Sequence, residues 1–109
     1  MDKIDKLDEF VKILNPHFIC LDVANGYLDV VIERIKTIRE KYPTITLIAG
    51  NVVTPEKVIE YYVNGVDIVK MGIGSGSVCT TRLQTGVGYP QFSCIADTRK
   101  AIGLSLIHI

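Results

Sequence analysis

Ile4, Leu7, Val11 and Leu14 recur every three or four positions among charged residues, the spacing of an amphipathic helix over residues 2–14. Pro16 ends it. Residues 18–24 (FICLDVA) form a short, nearly unbroken apolar run, which predicts a strand buried on both faces. The helical period returns over residues 27–41 through Val31, Ile35 and Ile38, with Pro43 as the stop. Residues 46–53 predict a second buried strand. Thr54-Pro55 then opens a helix: the threonine hydroxyl suits free helix-end amides, and proline suits the first helical position. Asn64-Gly65 closes that helix, glycine being at ease in a left-handed conformation. A third strand is expected over 66–71, a glycine-rich loop over 72–76 and a further helix over 90–102.

The order α-β-α-β-α-β-loop-α with short connections implies parallel α/β architecture. The pattern alone leaves open a doubly wound sheet or a (β/α)8 barrel. In both, the strand C-termini form the functional face. The clusters that end the three strands, from Asp22 to Gly26, Gly50-Asn51 and from Gly72 to Gly76, are therefore expected to share one mouth. The terminal stretch GLSLIHI carries no turn, charge or following helix, so residues 104–109 read as a truncation point or a foreign tail, set apart from the α/β domain of residues 1–103.

The 109 residues supply one globular core, and a formal net charge of zero offers no electrostatic attraction to nucleic acid or an acidic membrane surface. No apolar run approaches the roughly 20 residues of a membrane span, and the N-terminus lacks a signal-peptide core. Three cysteines, Cys20, Cys79 and Cys94, cannot all pair within the chain, and none lies in a C-x-x-C pattern. Free thiols fit a reducing cytoplasm. Cys20, within a strand, and Cys94, within a helix, are expected to be small core residues.

Chemistry concentrates in KMGIGSGSVCTTR, residues 70–82. Glycine-rich loops after strands often only turn the chain, and this one lacks the Gly-Lys-Ser/Thr of a Walker loop. It also has Ser77 where a dinucleotide fingerprint needs glycine. Cys79 adds a reactive group. A cysteine in such a loop is accessible, hydroxyls at Ser77, Thr80 and Thr81 can hydrogen-bond its thiolate, and Arg82 can stabilise the charge. Spacing alone does not separate a nucleophile from a spectator thiol, or a catalytic loop from one that merely holds a phosphate.

The string GIGSGSVCTTRLQTGVGYPQ resembles the catalytic loop of GMP reductases, and LDVANGY (21–27) and AGNVVT (49–54) resemble two further strings of that family. IMP dehydrogenases are similar, but there the cysteine is typically followed by Ile-Thr and the first motif typically reads Asp-Ser-Ser-x-Gly. Thr80-Thr81-Arg82 and Asp22-Val23-Ala24-Asn25-Gly26 favour the reductase.

The resemblance implies a (β/α)8 TIM barrel, of which this chain would be about three consecutive βα units. It also implies NADPH-dependent reductive deamination of GMP to IMP and ammonia through a cysteine thioimidate. Cys79 matches the nucleophile and Thr81 a threonine that, with a distant glutamate, protonates the leaving amine. Asp22, Val23 and Ala24 match residues lining the nicotinamide site, with Ile73 and Gly74 beside them; the lesser alternative for Asp22 is a cap on the following helix. Carbonyls of Gly74, Gly76, Cys79 and Arg82 match a K+ site. The family assembles as a homotetramer. A barrel needs roughly 250 residues, so this piece by itself is expected to be inactive and incompletely folded.

Overall fold

A computed structural model describes residues 3–103, so the stretch 104–109 set aside above lies outside the described residues. Helix α1 (Lys3–Leu14) leads into strand β1 (Phe18–Asp22), helix α2 (Asp29–Lys41), strand β2 (Thr46–Val52) and helix α3 (Pro55–Val63). Strand β3 (Ile68–Met71), a short helix α4 (Thr81–Thr85) and helix α5 (Gln91–Ile102) complete the order. The strands form one parallel sheet in the order β1-β2-β3. Parallel neighbours need a crossover between them, and α2 and α3 supply it.

The strands depart from the expectation of burial on both faces. Ile19, Leu47, Ala49, Val69 and Met71 are buried with Val31, Ile35 and Ile38 of α2, Val58 and Tyr61 of α3, and Cys94 of α5. Side chains alternate across a strand, so the intervening residues point the other way. There Phe18 is 60% exposed, Cys20 is exposed, and Ile48, Ile68 and Lys70 are half-buried. Cys20 is thus not part of the core that the described residues form, because its register places it on the side of β1 opposite Ile19. Cys94, with no accessible surface, does occupy the core.

Local signals hold closely at the helix ends. Pro55 begins α3, Asn64 ends it, and Gly65 takes φ +101°, a conformation costly for a side chain with a Cβ. Thr54 occupies the capping position, but its hydroxyl bonds Tyr27 Oη (2.8 Å) instead of capping α3. Tyr27 Oη also accepts from the Val53 amide (3.0 Å), and Tyr61 Oη donates to Gly26 O (2.7 Å). The β1–α2 loop is thereby tied to the end of β2. Below the sheet, Arg39 of α2 donates to the carbonyls of Gly65 (2.6 and 2.8 Å), Pro43 (3.1 Å) and Ile45 (2.9 Å) and to Asp67 (2.6 Å). Asp67 Oδ2 accepts the Leu47 amide as well (2.8 Å), which fixes the N-terminal ends of β2 and β3 together.

Candidate active site

The three strand-end clusters converge. Val23 N donates to Gly50 O (2.8 Å), Asn51 N to Val23 O (2.9 Å) and Gly72 N to Val52 O (2.9 Å), so the backbone pairing of the sheet extends past the strands. Asn51 Nδ2 reaches across to Gly72 O (2.9 Å), while Asn51 O accepts the Gly26 amide (2.9 Å). Asn51 is therefore the residue that joins all three ends.

Above these bonds lies an open pocket of about 200 Å³, lined by Asp22, Val23, Ala24, Asn51, Gly72, Ile73, Gly74, Cys79 and Thr81. Every residue expected to carry catalysis or to line the cofactor site is among them. That volume is below the roughly 300–1,000 Å³ of a whole ligand site, so it accommodates one ring system and not a dinucleotide. Asn51 and Gly72 had no assigned role. Their only advance signal was position, since both stand in polar or glycine clusters at strand ends.

Cys79 is half-buried, with its Sγ 3.2 Å from Thr81 Oγ1. Of the three neighbouring hydroxyls, that of Thr81 is the one within hydrogen-bonding distance. Hydrogen bonds from the Thr81 hydroxyl and backbone, with a smaller contribution from the Arg82 charge, hold the Cys79 thiol below the ordinary cysteine range. Burial pushes the Cys94 thiol the other way. The two cysteines thus differ in the property that governs nucleophilicity.

A glutamine anchors the glycine-rich loop. Gln91, at the start of α5, donates to Met71 O (3.2 Å) and accepts from Ser75 Oγ (3.2 Å). Its amide fills the space where a Cβ on Gly72 would stand. Helix α4 was not anticipated: it is a single short turn, too brief for a hydrophobic period, and Gly86 (φ +68°) ends it.

Asp22 does not cap α2, whose N-terminal position is held by Leu28. Its Oδ1 instead meets Lys70 Nζ at 2.9 Å.

Gly76 and Arg82 fall outside the pocket lining. The Arg82 stem lies over Gly74 and Gly88, where an added Cβ would come within 2.6 Å of it, and lines a neighbouring hollow of about 520 Å³. No group of three His, Cys, Asp or Glu residues fit to hold a metal occurs among the described residues. A site for K+ would need neutral oxygens instead. The Gly76 carbonyl accepts the Cys79 amide and the Arg82 carbonyl accepts the Gly86 amide (both 3.1 Å), which leaves each a second lone pair. Neutral carbonyl oxygens of this kind are the donors that a weakly hydrated monovalent cation takes. Among the described residues no helix is long and apolar enough to cross a membrane.

The chain is 52% identical over 99 residues to a GMP reductase of Phytophthora infestans, an alignment covering 87% of this chain and 27% of that protein. It is 56% identical over 84 residues to a GMP reductase of Ascaris suum, covering 77% and 24%. With GMP reductase 1 of Homo sapiens it is 58% identical over 80 residues, covering 73% and 23%. The chain spans about a quarter of the length of these relatives. The family model of the IMP dehydrogenase / GMP reductase domain matches residues 1–108, and the chain belongs to that family.

Proposed function

We propose that the whole protein carrying these residues is a GMP reductase, which converts GMP to IMP and ammonia with NADPH in the reducing cytoplasm. The observation that carries this reading is the acidified Cys79 thiol beside Thr81, in one pocket with Asp22, Val23 and Ala24. GMP reductases are also the relatives named above. The sequential strand order and the helices on one face of the sheet support a section of a (β/α)8 barrel, three consecutive units of it. The resemblance of the loop extends the reading to a homotetramer.

In this mechanism the Cys79 thiolate adds to C2 of the guanine ring. The 2-amino group must be protonated to leave, and the Thr81 hydroxyl, 3.2 Å from the sulfur, delivers that proton when wired to a carboxylate elsewhere in the protein. Loss of ammonia leaves C2 bonded to sulfur as a thioimidate. Bound NADPH supplies the hydride for C2. The carbon–sulfur bond then breaks, returning the thiolate and releasing IMP.

Asp22, Val23, Ala24, Ile73 and Gly74 would hold the nicotinamide edge, and the carbonyls of Gly74, Gly76, Cys79 and Arg82 would hold K+ in the loop. The test is turnover by the full-length protein: consumption of NADPH with GMP and release of ammonia. Oxidation of IMP to XMP with NAD at a comparable rate would make the protein an IMP dehydrogenase and remove the argument from Thr80-Thr81-Arg82.

A further inference from the structure

Asp22, Gly50 and Lys70 stand in register across the sheet, the last two as direct partners in the β2–β3 ladder and the first two in the β1–β2 ladder. Residues in register on parallel strands face the same way, so this row crosses the pocket end of the open face. Its middle member has no side chain. A Cβ on Gly50 would stand 2.6 Å from Lys70 Cβ and against the Lys70 backbone, so the lysine stem occupies the room that glycine leaves. Lys70 Nζ thereby spans the middle strand and reaches Asp22 Oδ1 at 2.9 Å. The lysine side chain is 34% exposed and the aspartate 62%. A pair this open adds little stability, yet the packing of three strands is arranged to permit it.

We infer that Lys70 is a positioning residue for the cofactor: it holds one oxygen of Asp22 so that the other faces the pocket and accepts N–H groups of a carboxamide. Asp22 lines the pocket and Lys70 does not, so Lys70 acts through Asp22. This inference rests on the GMP reductase reading and adds a residue to it. The geometry favours a neutral N–H donor at Asp22, because its carboxylate charge already has a cationic partner. The carboxamide of a nicotinamide is such a donor.

The experiment uses the full-length protein and titrates NADPH by its own fluorescence, with GMP binding measured in parallel. Lys70→Met keeps the stem and removes the charge. It should weaken NADPH binding about tenfold, the size expected for losing one charge-assisted contact, and leave GMP affinity and the unfolding midpoint nearly unchanged. Lys70→Arg, which keeps the charge, should bind NADPH within about threefold of wild type on the same scale. Unchanged NADPH affinity in Lys70→Met overturns the inference alone, if the wild type reduces GMP. Equal weakening of both ligands with a lowered midpoint makes the pair a structural strut, and overturns it too. A wild type that binds no NADPH overturns the inference together with the reading beneath it.

Discussion

At the N-terminal ends of β2 and β3, Arg39 donates to three backbone carbonyls and to Asp67, and Asp67 turns its carboxylate back on the Leu47 amide. At the C-terminal ends, Cys79, Thr81 and Asp22 line a pocket instead. Both ends are made of polar residues at strand termini, and both join neighbouring strands. They differ in where the reactive groups point. The lower end directs its charges at its own backbone, which locks the register. The upper end uses backbone and Asn51 for that task and leaves its thiol, hydroxyl and carboxylate beside open space. Stability and chemistry are thus separated along the strand direction, as the division between the two faces of parallel α/β folds leads one to expect.

If that separation is real, substitutions at the two ends of the full-length protein should move different observables. The largest effect belongs to Cys79→Ala, which should lower GMP turnover by at least about 10⁴-fold with GMP still bound, since no other group can take over the nucleophile's part. Turnover within tenfold of wild type would remove Cys79 from the mechanism.

Thr81→Val should reduce turnover on the order of 10²-fold or more through loss of proton delivery. It should also change the thiol. Only the thiolate alkylates, and the Thr81 hydroxyl is the main cause of the lowered Cys79 pKa. In wild type the pH midpoint of Cys79 alkylation by iodoacetamide should therefore lie below that of the Cys94 thiol alkylated in a denatured control, which serves as the reference for an ordinary cysteine. In Thr81→Val the midpoint should move up. A midpoint that stays where it was assigns the shift to the loop backbone and Arg82.

Arg39→Met tests the lower end. It removes the guanidinium from three carbonyls and from Asp67, which keeps the Leu47 amide, while retaining most of the packing. A loss of about 2–3 kcal/mol in urea-induced unfolding is expected, with the Michaelis constants for GMP and NADPH close to wild type. A selective rise in either constant would break the separation.

The smallest effects belong to the other two cysteines. Cys94→Ala opens a small void in the core and should cost about 1 kcal/mol of stability with turnover intact. Cys20→Ala, on the strand face that a closed barrel turns inward, should cost a similar amount. A loss near zero at Cys20 would show that the whole protein leaves that face open.

The elements themselves were legible. Val31, Ile35 and Ile38 announced α2 by period, and Thr54-Pro55 and Asn64-Gly65 bracketed α3 to the residue, because these signals act within one or two turns of chain. Strand burial was misjudged for Phe18 and Cys20, since an apolar run does not say which face its neighbours cover. Helix α4 left no trace in a period-based reading, being shorter than two turns. In the site, Cys79 stood out through type and context, and the residues from Asp22 to Ala24 through the family resemblance alone. Lys70 and Gln91 did not, because a lysine within a strand and a glutamine opening a helix have nothing unusual about them until their partners are seen.

The sequence by itself determined the alternation of helices and strands, the parallel sheet that follows from it, and the placing of polar clusters after each strand. Those are consequences of local propensity and short-range periodicity. Tertiary structure decided the rest. Register across three strands brought Asp22 within 2.9 Å of Lys70, which lies 48 residues away in the chain (70 − 22), over a glycine whose missing side chain makes room. The fold of the loop placed Thr81, and not Ser77 or Thr80, against the Cys79 sulfur. Reactivity of that thiol depends on distances of about 3 Å between hydrogen-bonding atoms, and only the packed backbone sets distances on that scale.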